Sequence, residues 1–217
     1  MYKLILIIPL AIFLNCCAQQ EPIREIDAAQ LQERNHIVYA NDEEEPFSGR
    51  VRGIDPDSGL LVEGILVNGK PDGMVLVWYD NGQKKIEGNF VKGIQDGVYR
   101  EWHENGQLHK EETYVNGKLD GLVRWWHENG QLSKEVIFID EGIDGMGRTW
   151  HENGQLKSER AVVDGKLAGT ARTWYENGQL KREMTIDNDL HKSVVRNWDE
   201  NGQLVSERTY VNGKPIE

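Results

Sequence analysis

Short runs of alternating apolar and polar residues recur along this chain with a period of 24 residues. From residue 49 onward, each period holds two such runs, rich in aromatic and β-branched side chains and ending at Asn-Gly or Asp-Gly in most copies. Period-two alternation bounded by these dipeptides is the pattern of a β-hairpin. A fixed period of this size marks a repeat protein, in which one unit cannot bury its apolar face alone. Seven units follow in register, beginning at Gly49, Gly73, Gly97, Gly121, Gly145, Gly169 and Ser193.

Three columns carry the repeat. Asn-Gly-Gln begins at Asn81, Asn105, Asn129, Asn153, Asn177 and Asn201, a tryptophan stands at Trp78, Trp102, Trp126, Trp150, Trp174 and Trp198, and a glutamate runs from Glu63 to Glu207. The apolar columns of unit three are Val98, Trp102, Leu108 and Tyr114. Side chains alternate faces along a strand, so loop length decides which columns meet. A three-residue loop, Glu104-Asn105-Gly106, sets Trp102 opposite Leu108 and keeps all four columns on one face. The pattern therefore predicts a type I turn followed by a left-handed Gly106. The second turn is weaker at Asp140-Glu141-Gly142 and Asn188-Asp189. The expected fold is all-β: an elongated antiparallel meander of 24-residue hairpins, advancing roughly 9.6 Å per unit and 65 to 70 Å in all.

The N-terminus reads differently. Lys3 precedes an apolar run from Leu4 to Leu14, too short to span a bilayer and suited to a secretory leader. The run ends in Leu14-Asn15-Cys16-Cys17, which resembles a bacterial lipobox. Cys17 fits best as the lipidated residue, with Leu14 three positions upstream; Cys16 is the alternative. These are the chain's two cysteines, so a disulfide framework is excluded. Residues 1–16 are expected to be a signal peptide. Residues 17–46 are expected to be a lipidated tether with a short helix at Asp27 to Arg34 and a cap strand at Ile37 to Tyr39. Residues 47–217 hold the seven repeats.

The motif Gly-x-x-x-x-Trp-x-x-Asn-Gly-Gln-Leu-x-x-Glu-x-x-Tyr-x-Asn-Gly-Lys-x-Asp-Gly resembles the variant MORN repeat of the bacterial YwqK-family antitoxin proteins. The resemblance covers roughly residues 47 to 216. It departs at Asp57-Ser58-Gly59, where Asn-Gly-Gln is expected, and at Ser193, where glycine is expected; altered turns are expected there. It implies an elongated hairpin array and little chemistry.

Charge narrows the partners. The formal net charge is −11, one unit more negative once Lys3 is removed. Such a chain lacks the overall basic surface that nucleic acid or anionic headgroups require. The histidine column at His103, His127 and His151 steps one repeat at a time, too far for neighbours to share a metal ion. These rings are read as surface aromatics beside the turn. Glu104, Glu111 and their equivalents obey the repeat, so they are read as cross-strand partners of the column Arg100, Arg124, Arg148, Arg172 and Arg196 or of nearby lysines. No nucleophile motif, phosphate-binding glycine loop or cofactor signature is visible, and no enzyme activity is expected.

The tryptophan column carries the main ambiguity. It is either core shared between hairpins or an open indole row for a sugar polymer or a protein. Trp125 falls on the opposite face and is expected to be exposed. The candidate binding surface is thus Trp78, Trp102, Trp125, Trp126, Trp150, Trp174 and Trp198. The expected function is a non-catalytic scaffold for a protein partner in the cell envelope, on an outer-membrane lipoprotein. An antitoxin or immunity-like protein and a glycan-binding module are the alternatives.

Overall fold

The structure, a computed structural model, describes residues 23–139, 142–187 and 190–216. The expected leader and lipidation site, and the second turns of units four and six at 140–141 and 188–189, lie outside the described residues.

Seven hairpins follow one another as the period requires. Their strand pairs are Gly49–Ile54 with Leu61–Val67, Gly73–Trp78 with Lys84–Val91, Ile94–Trp102 with Leu108–Val115, and Gly121–Trp126 with Leu132–Ile139. Gly145–Trp150 with Leu156–Val163, Lys166–Trp174 with Leu180–Asp187, and Lys192–Trp198 with Leu204–Val211 complete them. Each second strand also pairs with the first strand of the next unit, so one continuous antiparallel meander results. No α-helix occurs among the described residues.

The first turn is the predicted one. His103 N–H donates to Gln107 O at 2.8 Å, Gly106 N–H donates to His103 O at 2.9 Å, and Gly106 has φ +81°. Glu104-Asn105-Gly106 is therefore a three-residue loop closed by a left-handed glycine. The second turn has two residues, Asn116 and Gly117, with φ +50° and +80°; both positive values mark the type I′ turn whose twist matches the strands.

The two departures from the repeat have distinct physical outcomes. In unit one, Asp55 Oδ2 accepts from Ser58 N–H, and the Asp55-to-Leu60 loop closes without the bulge of the other units. At Ser193 the two strands pair without any register shift, whereas Gly73, Gly97, Gly121 and Gly145 sit at positive φ beside a shift. An unshifted ladder needs no left-handed residue, so serine is tolerated there.

The predicted apolar face requires correction. Trp102 does lie opposite Leu108, but the register then shifts between Leu108 and Lys110. This bulge at His109 inverts the rest of the strand. Tyr114 consequently shares a face with Tyr99 and Glu101, not with Trp102. The sheet has a ladder face, with Val98, Arg100, Trp102, Leu108 and Glu111, and a second face with Tyr99, Glu101, Lys110, Glu112 and Tyr114. The buried residues Val51, Val123, Val136, Val162 and Val195 all lie on the second face. The core is therefore opposite the tryptophans.

The N-terminal segment closes the array. Asp27 accepts from Ala29 N–H and starts one 3-10 turn, Ala28–Gln30, in place of the expected short helix. Leu31–Arg34 and Ile37–Ala40 then form a separate hairpin. Glu25–Ile26 pairs parallel with Arg50–Val51. Ala28, Ala40, Phe47 and Val51 form a buried cluster, with Ile26, Leu31, Val62 and Leu66 packed against it.

Candidate binding faces

Asn-Gly-Gln is a stacking device between units. Asn105 Oδ1 accepts from Gln107 N–H at 2.9 Å, fixing its own loop, while Asn105 Nδ2 donates to Glu128 O of the next unit at 2.7 Å. The same pair of bonds recurs at Asn81, Asn129, Asn153 and Asn177. The Gln side-chain oxygen then lies over the glycine of the following loop: Gln107 over Gly130, Gln131 over Gly154. Glycine is needed twice at these positions, for positive φ and for the space its missing Cβ leaves.

The histidines are not simply surface aromatics. His103, His127 and His151 are half-buried, and each Nε2 reaches the carbonyl of the next tryptophan at 3.1 to 3.3 Å. Tyr79 and Tyr175 donate their hydroxyls to the corresponding carbonyls of Trp102 and Trp198, at 2.8 and 3.0 Å. This equivalence makes a prediction. His127→Tyr should leave stability within about 0.5 kcal/mol, whereas His127→Phe should lose about 1 kcal/mol with the bond to Trp150 O. Chemical denaturation of the two variants checks this, and equal losses would rule out the bond as the reason for the column. Among the described residues, no group of three His, Cys, Asp or Glu is placed to hold a metal ion.

The ladder face is regular and internally satisfied. Arg100 Nε donates to Glu111 Oε2 at 2.8 Å and its NH1 donates to Glu87 Oε1 at 3.2 Å. The alternation continues through Arg124, Glu135, Arg148, Glu159, Arg172, Glu183 and Arg196 to Glu207. Each interior arginine thus lies within 4.0 Å of two carboxylates, which makes a network stronger than isolated exposed pairs. Leu76 interrupts the row, and there Lys84 Nζ reaches Glu87 at 2.7 Å, holding that carboxyl below its usual range. The tryptophans flank this row and are half-buried throughout. Trp102 carries the Lys84 ammonium 5.0 Å from its ring centre. Trp125 does lie on the second face, as the pattern predicts, but it is half-buried rather than exposed, with Lys134 Nζ 4.5 Å above it.

The second face breaks the repeat. At the position of Glu112 the other units carry Gly64, Gly88, Val136, Arg160, Met184 and Arg208. Glu112 is the one buried charged residue among those described. Lys110 Nζ lies 2.9 Å from its Oε1, and Tyr114 donates to its Oε2 at 3.1 Å. Beside it, Tyr99 donates to Glu101 Oε1 at 2.9 Å, and the two tyrosine rings meet edge to face at 6.4 Å. Sequence reading missed this group because it placed Tyr114 with Trp102. The available signal was a column whose residue type changes from unit to unit.

Burial, and then the neighbouring carboxylates, raise both phenols: Tyr114 is pushed up to about 12, and Tyr99 higher. In the unfolded chain both would ionise near pH 10. A group with a raised folded pKa contributes stability below its unfolded pKa and loses it as pH climbs through the folded one. Stability should therefore fall from about pH 10 upward. A combined Tyr99→Phe and Tyr114→Phe variant should flatten that fall. Tyrosinate absorbance recorded alongside circular dichroism tests both points; Tyr99 and Tyr114 ionising near pH 10 before unfolding would contradict the environment described.

A cavity of about 430 Å³ lies between the N-terminal cap and units one and two, lined by Leu31, Val51, Val62, Leu66 and Val75 and also by Glu33 and Asp55.

One family description, "MORN repeat variant", matches residues 71–92, 95–116, 119–140, 143–160, 167–188 and 194–212. No curated protein matches the chain. Among solved structures, a crystal structure of a mutant S. aureus TarM in complex with Fondaparinux, alpha-GlcNAc-glycerol and UDP overlaps 44% of this chain and 19% of its own at 11% identity, with TM-score 0.30. An overlap that slight carries no argument.

Proposed function

The chain belongs to the MORN repeat variant family, and from that premise we propose that it is a non-catalytic scaffold whose second face binds a protein partner in the cell envelope. Repeats of this family serve in general as protein- or membrane-interaction modules and are in general non-catalytic. The observation carrying the reading is the division of labour between the faces. Residues that build the array repeat every 24 positions and satisfy one another, whereas the second face changes unit by unit. A varied row on a regular frame suits an extended partner contacted at several points.

Anchoring by lipid at Cys17 places this frame at a membrane, supported by Leu14 three residues upstream. Labelled palmitate should enter the wild type and a Cys16→Ser variant but not Cys17→Ser; the reverse pattern would move the site to Cys16.

The test of function is gentle affinity purification of the full chain from its native membranes, followed by mass spectrometry. A stoichiometric protein is the expected result, and a toxin in that position would make the scaffold an immunity-like protein. Recovery of polysaccharide alone, lost in folded Trp126→Ala and Trp150→Ala variants, would overturn the reading in favour of a glycan-binding ladder face.

A further inference from the structure

The second face changes its charge along the array. In units one and two it is apolar, with Val51, Val62, Val75, Val77, Ile86 and Phe90. In unit three it holds the satisfied Glu112 group. In units five to seven its charged residues on paired strands are Arg160, Arg182 and Arg208, and no Asp or Glu joins them. All three arginines are exposed, and none has a hydrogen-bond or ion-pair partner among the described residues. The contrast with the ladder face is sharp, because Arg124, Arg148 and Arg172 there each hydrogen-bond one carboxylate at 2.9 Å and lie 3.8 to 4.0 Å from a second. Three free guanidiniums on one face of a chain with net charge −11 are not explained by holding the sheet together.

We infer that units five to seven of the second face bind an extended acidic segment of a protein partner. The inference rests on the scaffold reading and names the chemistry of its partner. Guanidinium groups present forked donors that match carboxylates in two-point contact. Between the arginines the surface carries short polar residues, Thr149, Ser158, Thr173 and Asn197, together with the apolar Ala171, Met184 and Val195. Arg160 stands opposite Gly147 with its stem over it, Thr149 and Ser158 share a hydroxyl bond of 2.6 Å, and Arg182 stands opposite Thr173. A backbone can approach such a surface closely. Successive arginines are separated by two strand spacings and two residues along the strand, roughly 12 Å. That is about three to four residues of extended chain. The matching ligand therefore carries a carboxylate at every third or fourth residue. The overall negative charge repels long polyanions and anionic membranes at a distance, whereas a short segment meets the basic patch alone.

The experiment uses the full chain and a fluorescein-labelled peptide of repeating Glu-Thr-Pro, which carries one acid every third residue and stays extended. Binding is read by anisotropy at low and high salt. The wild type should bind the peptide, weaken with salt, and prefer it to an isomer with its glutamates contiguous. Arg182→Glu should weaken binding about tenfold, and the triple reversal of Arg160, Arg182 and Arg208 to Glu should abolish it. All three sites are exposed, so circular dichroism should show unchanged folding. Equal binding by wild type and triple variant overturns the inference. So does arginine-dependent binding of anionic phospholipid vesicles or single-stranded nucleic acid without binding of the peptide. The native purification separates the two claims. A protein partner kept by the wild type and by the triple variant leaves the scaffold reading standing and removes this surface from it. A partner lost only in the triple variant supports both.

Discussion

Replacing Lys110 by Met is expected to destabilise the array by about 3 kcal/mol, the lower end of the cost of breaking a buried ion pair. Glu112 is 5% exposed, so its carboxylate cannot recover the lost partner from solvent. Only the Tyr114 hydroxyl would remain bonded to it. The lower end applies because the Lys110 side chain is itself 24% exposed and part of its attraction is already screened. Adding Glu112→Val should restore stability to the wild-type level or above. Unit four shows that the fold accepts this, since Val136 occupies the same position at 3% exposure beside the fully buried Val123. Buried pairs replaced by apolar residues of suitable volume are often neutral or stabilising by about 1 to 4 kcal/mol. Urea denaturation of the single and double variants forms the test. A double variant as unstable as Lys110→Met would mean that the pair holds the sheet in a way packing cannot replace. A recovered double variant that no longer retains its partner in the native purification would assign Glu112 to recognition rather than to folding.

The two sheet faces were unequally legible in the sequence, for a physical reason. Loop length follows from Asn-Gly spacing, because left-handed residues are few and glycine supplies most of them. That argument correctly gave the Glu104-Asn105-Gly106 loop and the facing of Trp102 and Leu108. The ladder of Arg100 and Glu111 followed from opposite charges in adjacent columns. What failed was the facing of the apolar column beyond the bulge at His109. A bulge adds one residue to one strand and has no composition of its own, yet it exchanges faces for every later side chain. Tyr114 was thereby assigned to the wrong face, and Glu112 with Lys110 went unseen as a pair. The histidine column shows a different limit. His127 and Tyr175 look unrelated by charge or size, but both reach a carbonyl one unit away, and that partner is fixed only once hairpins are stacked.

Phe47→Ala is expected to cost about 3 to 5 kcal/mol, the range for removing a buried aromatic side chain. Phe47 is 1% exposed and one of the two largest fully buried side chains described. It joins three parts of the chain. Its N–H donates to Val38 O at 3.0 Å, its carbonyl accepts from Gly69 N–H at 2.7 Å, and its ring packs in the cluster with Ala28, Ala40 and Val51 under the Arg24 guanidinium. The loss should stay local. In an array stabilised by nearest-neighbour contacts, removing one end changes the terminal terms and leaves distant units intact. Residues 23–47 should therefore lose hydrogen-exchange protection, and the wall they give to the 430 Å³ cavity should open, while Trp126 to Trp198 keep their fluorescence. Exchange mass spectrometry of the variant distinguishes the cases. Simultaneous loss of protection through unit seven would show that the cap nucleates the whole sheet and that the array folds as one cooperative block.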